Sequence, residues 1–297
     1  MQPVAAGSLP AQPPFDFART LDFLGMFPPT QREQRIAGGT LTKAISLAGQ
    51  TVVFQVQASR DTPGVDYTGH ADRPLDAEQI ARLEDRISFF LSLEDDLGPF
   101  YAIAEKDAPF APVLARLHGY HQVKFLTPFE NACWAILSQR TSIPQTRTVK
   151  QRLMARYGGQ AALDGDSYLA FPEPDALAQA SLPDLAALTG HDRKAAYLHA
   201  ASRAFAGVDE GWLRNGPYAE VEAWLRAIPG IGPWSAAFIL IRGLGRMDQI
   251  SLTERRLIEA VGRVYGAHQT SDEAVLALAA RYGSWQGYWA HYLRVAG

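Results

Sequence analysis

Apolar and polar positions alternate through the first part of the chain and later give way to a longer period. Residues 41–47 (LTKAISL) and 51–57 (TVVFQVQ) are β-branched, alternating runs on either side of Ala48-Gly49-Gln50, a pattern that predicts a strand hairpin. Residues 15–24 predict a short helix ahead of it. Over residues 77–93 the period lengthens, and Ile80, Leu83, Ile87 and Leu91 fall on one helical face. From Pro99 onward the pattern is helical and punctuated by Gly and Pro, with no strand expected. Residues 161–180, which include FPEP, read as a loop joining helices. The expected fold is therefore an α+β N-terminal domain over residues 15–98 followed by a mainly α domain over residues 99–297. Residues 1–14, MQPVAAGSLPAQPP, are expected to be a disordered tail.

Composition permits this organisation without selecting it: 297 residues at 47% apolar content can support two cores. The Pro/Ala-rich start has neither a basic region nor a long apolar run, so no signal peptide is read there, and no segment predicts a membrane span. The single cysteine, Cys133, lies in the apolar helical run NACWAIL and is expected to be a buried, inert thiol. One cysteine and no export signal suit a reducing, cytoplasmic, nucleoid-associated setting. The net charge of −3 hides a segregation of charge. Residues 61–107 are rich in acid, whereas Arg140, Arg147, Lys150, Arg152 and Arg156 follow one another with no acid between them. Such a run is either a solvated helix face or a strip that tracks phosphates. The histidines show no ligand spacing, which argues against a transition-metal site.

Residues 224–257 carry the strongest chemical signal. Ile228-Pro229-Gly230-Ile231-Gly232-Pro233 joins two helical patterns. Its two glycines are free to take positive φ and leave backbone amides uncovered. Pro233 suits the first turn of the next helix, where free amides and the helix dipole favour an anion. The amides of Gly230, Ile231 and Gly232 are thus candidates for holding a phosphate without reading sequence. An ordinary helical hairpin, with glycines that merely let helices approach, is the competing reading.

This segment resembles the helix-hairpin-helix DNA glycosylase superfamily, whose signature is an L-P-G-[IV]-G hairpin, a helix and then a catalytic Asp about twenty residues on. In members that also cut the strand through a Schiff base, a Lys stands two residues after the last hairpin glycine. Here that residue is Trp234, which cannot form an imine. The resemblance therefore implies a monofunctional enzyme of the bacterial 3-methyladenine-DNA glycosylase II type, with an α+β domain ahead of a helix-hairpin-helix glycosylase domain. A lone cysteine also excludes the four-Cys iron–sulfur cluster common in the endonuclease III branch.

Carried over residue by residue, the resemblance implies four sets of functional residues. Glu254 falls on the catalytic Asp position and Ser251 on a family Pro, with the register held by Asp248 and Leu257. Trp234, Phe238 and Trp285 fall on positions that line the base pocket. Ser138-Gln139-Arg140 matches the loop that enters the duplex: Gln139 would fill the gap left by an extruded base, and Arg140 replaces an apolar wedge, either to stack on bases or to contact a phosphate. Main-chain oxygens of Arg226, Ile228 and Ile231 would hold a structural Na or K ion at the hairpin, with no other cofactor required. Arg255 and Arg256 would either pair with Glu254 or face phosphates.

The chemistry fits these residue types. Breaking an N-glycosidic bond builds positive charge on deoxyribose, which a carboxylate stabilises, and a cationic alkylated purine is attracted to aromatic faces. The expected partner is double-stranded DNA containing a damaged base, and the protein is expected to act as a monomer without a membrane. Because a Glu stands where the family has Asp, a second expectation is a weakly active or inactive lesion-binding protein on the same fold. Removal of oxidised purines is disfavoured by Trp234.

Overall fold

A computed structural model describes residues 1–250 and 255–296. Glu254, the expected catalytic carboxylate, and Ser251 lie outside the described residues.

Five strands form one antiparallel sheet in the order β1-β5-β4-β3-β2: β1 (Gln2–Pro10), β2 (Gln34–Ala37), β3 (Thr40–Leu47), β4 (Gln50–Ala58) and β5 (Gly64–Ala71). The expected hairpin is β3–β4, with Leu47 opposite Gln50 across Ala48-Gly49. Both turn residues have positive φ, as a two-residue turn with the hand of the sheet twist requires. The expected tail is a correction. Residues 2–10 are β1, paired with β5 from Gln2↔Ala71 to Pro10↔Gly64. Val4, Ala5 and Leu9 pack on the core, and Pro3 and Pro10 are tolerated because β1 is an edge strand.

Helix α1 (Phe17–Met26) is capped by Asp16, whose carboxylate accepts from the Ala18 amide at 3.0 Å. Helix α2 (Ala77–Leu91) opens on a capping box between Asp76 and Gln79, and buries Leu83, Ile87 and Leu91 as its spacing predicts. Then come α3 (Gly98–Ala104), α4 (Ala111–Leu117), α5 (Pro128–Leu137) and α6 (Ile143–Tyr157). A second correction follows: β6 (Gln160–Leu163) and β7 (Asp166–Leu169) form a hairpin where no strand was expected. Asp164-Gly165, both at positive φ, makes its turn, and Leu163 and Tyr168 pack against Ala44 and Val53 of the large sheet. The remaining helices are α7 (Pro174–Ala178), α8 (Leu182–Thr189), α9 (Asp192–Ala206), α10 (Glu210–Asn215), α11 (Tyr218–Ala227), α12 (Pro233–Arg242), α13 (Arg255–Tyr265), α14 (Asp272–Ala280) and α15 (Gln286–Ala296). No helix among the described residues is long and apolar enough to cross a membrane.

The hydrophobic cores do not part at residue 98. One core joins the sheet and α1–α4 to α13–α15, and a second holds α5 through α12. Asp107 helps to draw the C-terminal helices onto the first core by accepting from the hydroxyls of Tyr265 at 2.7 Å and Tyr282 at 2.9 Å. Across the two cores, Arg86 of α2 makes a bidentate pair with Glu210 of α10, and Arg214 does the same with Asp85. This arrangement leaves α1 and α15 facing α5 and α12, and the cleft described next opens between them.

Candidate nucleic-acid interface and base cleft

The hairpin between α11 and α12 is anchored by its two isoleucines. Ile228 and Ile231 are buried in the second core, and the Ile231 amide, expected to be uncovered for a phosphate, instead donates within the turn to the Ile228 carbonyl at 3.0 Å. Gly230 turns the chain at φ +89° with Tyr197 packed against it; a Cβ there would lie 2.4 Å from a ring carbon. Gly232 departs from expectation, sitting at φ −86°, ψ −177° in extended backbone. It is the N-cap of α12 and brings no side chain to its own cap, while Pro233 opens the helix. Arg226 to Ser235 line a hollow with Gln139 and Tyr197 at the N-terminal end of α12, where the helix dipole favours an anion.

Gly230→Ala is expected to disable this turn. Left-handed backbone costs an L residue about 1–2 kcal/mol, and forcing a methyl into packed neighbours typically costs about 1–3 kcal/mol. Thermal unfolding should report the loss, and affinity for any duplex should fall with it. A variant as stable and as tightly bound as wild type would show that the turn tolerates a side chain.

The loop of residues 138–142 joins α5 to α6 beside this hollow. Lys194 of α9 donates to the Leu137 carbonyl at 2.6 Å and to the Thr141 hydroxyl, closing the end of α5. Burial pushes its ammonium pKa down from the usual range. Ser142 and Gln145 form a capping box that starts α6. Gln139 turns its carboxamide to the hairpin and donates to the Gly230 carbonyl at 2.6 Å. Arg140 is exposed at the tip with φ +51°. The basic run that follows is only partly a surface. Arg152 and Arg156 are exposed, whereas Arg147 is half-buried against Gln31 and Lys150 is fully buried.

Helix α12 places Trp234, Phe238 and Arg242 on one face at steps of four residues. The rings of Trp234 and Phe238 stack with centroids 5.3 Å apart and planes 7° apart. They border a cleft of about 640 Å³ whose other wall is Phe23, Met26 and Phe27 of α1 and its end, with Trp134 of α5 behind. Sequence reasoning missed that wall, because nothing near residues 23–27 marks them as partners of residue 234. Trp234 is 38% exposed and also borders the hairpin hollow, so one residue belongs to both sites.

Trp285 is a correction. It lies at the end of a 3₁₀ turn before α15, packed on Phe100 at 6.4 Å and Tyr288 at 5.6 Å, and does not border the cleft. From that region the cleft takes His291, Arg294 and Val295 instead, which lie a turn or more into α15. Arg242 is buried over the rings of Phe23 at 5.0 Å and Phe27 at 4.7 Å, and bonds His291 at 3.2 Å. Burial, then the charges of Arg242 and Arg294, hold the His291 pKa well below the usual range, so it is neutral at physiological pH. Arg255 and Arg256 complete the basic rim, and Arg255 also pairs with Glu259 at 2.8 Å. Asp248 pairs with Arg246 at 3.5 Å. Cys133 is fully buried and burial raises its thiol pKa, which leaves it inert. Among the described residues no cluster of three or more His, Cys, Asp or Glu side chains could hold a metal ion.

A glycine hairpin thus feeds a helix, an aromatic cleft lies along that helix, and a loop stands beside both. The family signature that matches residues 133–283 is that of the HhH-GPD superfamily of base excision DNA repair proteins, and the chain belongs to that family. The chain is 24% identical over 262 residues to DNA-3-methyladenine glycosylase of Bacillus subtilis (strain 168), covering 87% of this chain and 86% of that protein. In fold it resembles the 3-methyladenine DNA-glycosylase from Archaeoglobus fulgidus, with a TM-score of 0.79 at 17% identity, covering 98% and 97% of the two chains. It also resembles the Clostridium acetobutylicum 8-oxoguanine glycosylase/lyase in complex with DNA containing cytosine opposite 8-oxoG, with a TM-score of 0.69 at 18% identity, covering 99% and 97%.

Proposed function

We propose that the protein is a monofunctional DNA glycosylase of base excision repair that flips an alkylated purine of the 3-methyladenine type out of duplex DNA and hydrolyses its glycosidic bond. One observation carries the reading: Trp234 borders both the phosphate-favouring hairpin hollow and the aromatic cleft. A strand held at α12 would therefore present an extruded nucleotide to Trp234 and Phe238. Arg255 and Arg256 on the rim suit the flanking phosphates.

In the proposed reaction the bond between deoxyribose C1′ and the purine ring nitrogen breaks, and its electron pair leaves with the base. An alkylated, cationic purine departs neutral and needs no strong acid. Water adds its oxygen to C1′ and gives up a proton, which Glu254 would accept and pass to solvent, leaving an abasic site. Trp234, standing where a Schiff-base Lys would be, supports hydrolysis without strand cleavage. The reaction needs no cofactor. A Na⁺ or K⁺ ion would fit the hairpin, where Arg226, Ile228 and Ile231 border one hollow and the Arg226 carbonyl belongs to the last turn of α11. We place the protein on cytoplasmic DNA as a monomer.

The reading is tested by free-base release. Wild type is expected to release methylated purines from methylated duplex and to leave the strand uncut. With Arg242 already over Phe23 and Phe27, Trp234 is the more exposed of the two stacked rings offered to a cationic base. A cation over an aromatic face gains about 0.5–2 kcal/mol, so Trp234→Ala should lower the preference for methylated over normal purine by about 2- to 30-fold. An unchanged preference would remove Trp234 from the base site. Binding without release would leave a lesion-binding protein.

A further inference from the structure

We infer that Gln139 is a positioning residue, tying the loop between α5 and α6 to the phosphate-binding hairpin so that docking of the hairpin on a strand fixes where Arg140 enters the duplex. This rests on the DNA-repair reading and replaces the gap-filling role that the family resemblance implies for Gln139.

The geometry places three segments in one body. The Gln139 carboxamide donates to the Gly230 carbonyl at 2.6 Å, across 91 residues of sequence, and Gly230 is the residue on which the hairpin turns. Helix α9 backs both partners. Its Lys194 grips the loop at Leu137 and Thr141, and its Tyr197, three residues on, lies against Gly230. The Thr141 hydroxyl in turn donates to the Gln139 carbonyl at 3.1 Å. At the tip, Arg140 is exposed in left-handed backbone, and among the described residues no side-chain hydrogen bond or ion pair holds it.

To fill a vacated gap, Gln139 would have to give up its bond to Gly230 and strand a carbonyl at the hairpin. Arg140 can enter the helix with every other contact of the loop intact. Its guanidinium offers donors and a flat face that suits insertion between bases. One short hydrogen bond then joins clamp to wedge directly, and misplacement of a reacting group by about 1 Å can cost on the order of 10²-fold in rate.

The test compares wild type with Gln139→Ala, Gln139→Glu, Arg140→Ala and the Gln139→Ala/Arg140→Ala double variant. Two readouts are used: single-turnover release of 3-methyladenine from methylated duplex, and fluorescence of 2-aminopurine placed opposite an abasic site. Gln139→Glu keeps size but sets a carboxylate against a carbonyl, so it should match Gln139→Ala, each losing about tenfold or more in release rate. Affinity for undamaged duplex should change far less, which also reports that the variants fold. Because Gln139 acts through Arg140, the double variant should fall within about twofold of Arg140→Ala alone. Effects that multiply in the double variant, or a Gln139→Glu protein with the wild-type fluorescence signal, would overturn the inference and return Gln139 to the gap. If wild type releases no base, the glycosylase reading falls while the same double-variant comparison in fluorescence still decides the role of Gln139.

Discussion

Lys150→Met is expected to cost the folded protein roughly 3–5 kcal/mol, the penalty for leaving a buried charge without its partner. The Lys150 ammonium is fully buried and donates to Glu33 at 2.6 Å, Glu130 at 2.6 Å and the Pro29 carbonyl at 3.1 Å, and Lys43 lies 3.7 Å from Glu33. Burial alone would lower the Lys150 pKa, but Glu130 and Glu33 outweigh it and raise it, so the amine stays charged. Met matches the stem of Lys and removes only the charge and its donors, which leaves two buried carboxylates facing Lys43 alone. The cluster also joins the segment after α1, which lines the cleft through Pro29, to α5 and α6. Loosening it should therefore widen the cleft as well as lower stability. Urea denaturation checks the first effect. Adding Glu33→Gln and Glu130→Gln to Lys150→Met should recover much of the loss, because neutral amides tolerate burial better than unpaired carboxylates. A loss under about 1 kcal/mol for Lys150→Met alone would show that the carboxylates find protons or water at little cost.

The same lysine shows where the sequence could mislead. In the run from Arg140 to Arg156 it reads as one more surface cation, because its partners Glu33 and Glu130 are 117 and 20 residues away. The hairpin at Gly230 was legible because its signals are local: glycine, proline and isoleucine within six residues. Helix α2 was legible for the same reason, its capping box and apolar stripe lying within one segment. Strand β1 was hidden by its prolines, which an edge position tolerates, and the β6–β7 hairpin by the brevity of its strands, although Asp164-Gly165 is a recognisable turn.

At the cleft, Trp234 and Phe238 could be paired in advance because a helix brings residues four apart together. Phe23, Phe27 and Trp134 could not, since only the packing of α1 against α5 and α12 brings them there. Trp285 failed on position within its element. It precedes α15, and the residues that reach the cleft come later on that helix. The family resemblance put Trp285 at the base pocket, whereas it is half-buried against Phe100 and Tyr288, and aromatic character alone does not choose between pocket and core.

Glu254→Gln is expected to lower single-turnover release of methylated purine by about 10²–10³-fold, the usual cost of removing one preorganised electrostatic contact to a transition state. The residue lies outside the described structure, so the expectation rests on its place in the sequence, on the family to which the chain belongs and on what surrounds the cleft. The chain re-enters at Arg255 and Arg256, both on the cleft border. Among the described residues the cleft is bordered by four arginines and no carboxylate. Such a rim holds phosphates well but cannot stabilise positive charge growing on a deoxyribose. In the proposed reaction an anion has to be supplied, and Glu254 is the acid that the family resemblance sets on the catalytic position. Glu is about one methylene longer than the usual Asp, so Glu254→Asp is informative in the opposite direction. If the cleft is cut for the longer side chain, Asp should lose activity by about 10-fold or more while keeping the charge. If Glu254 is a handicap, Asp should gain. Gln and wild type releasing base at equal rates would remove Glu254 from catalysis altogether. Binding of abasic duplex by Glu254→Gln separates loss of chemistry from loss of grip, since the hairpin and the loop at Gln139 remain in place.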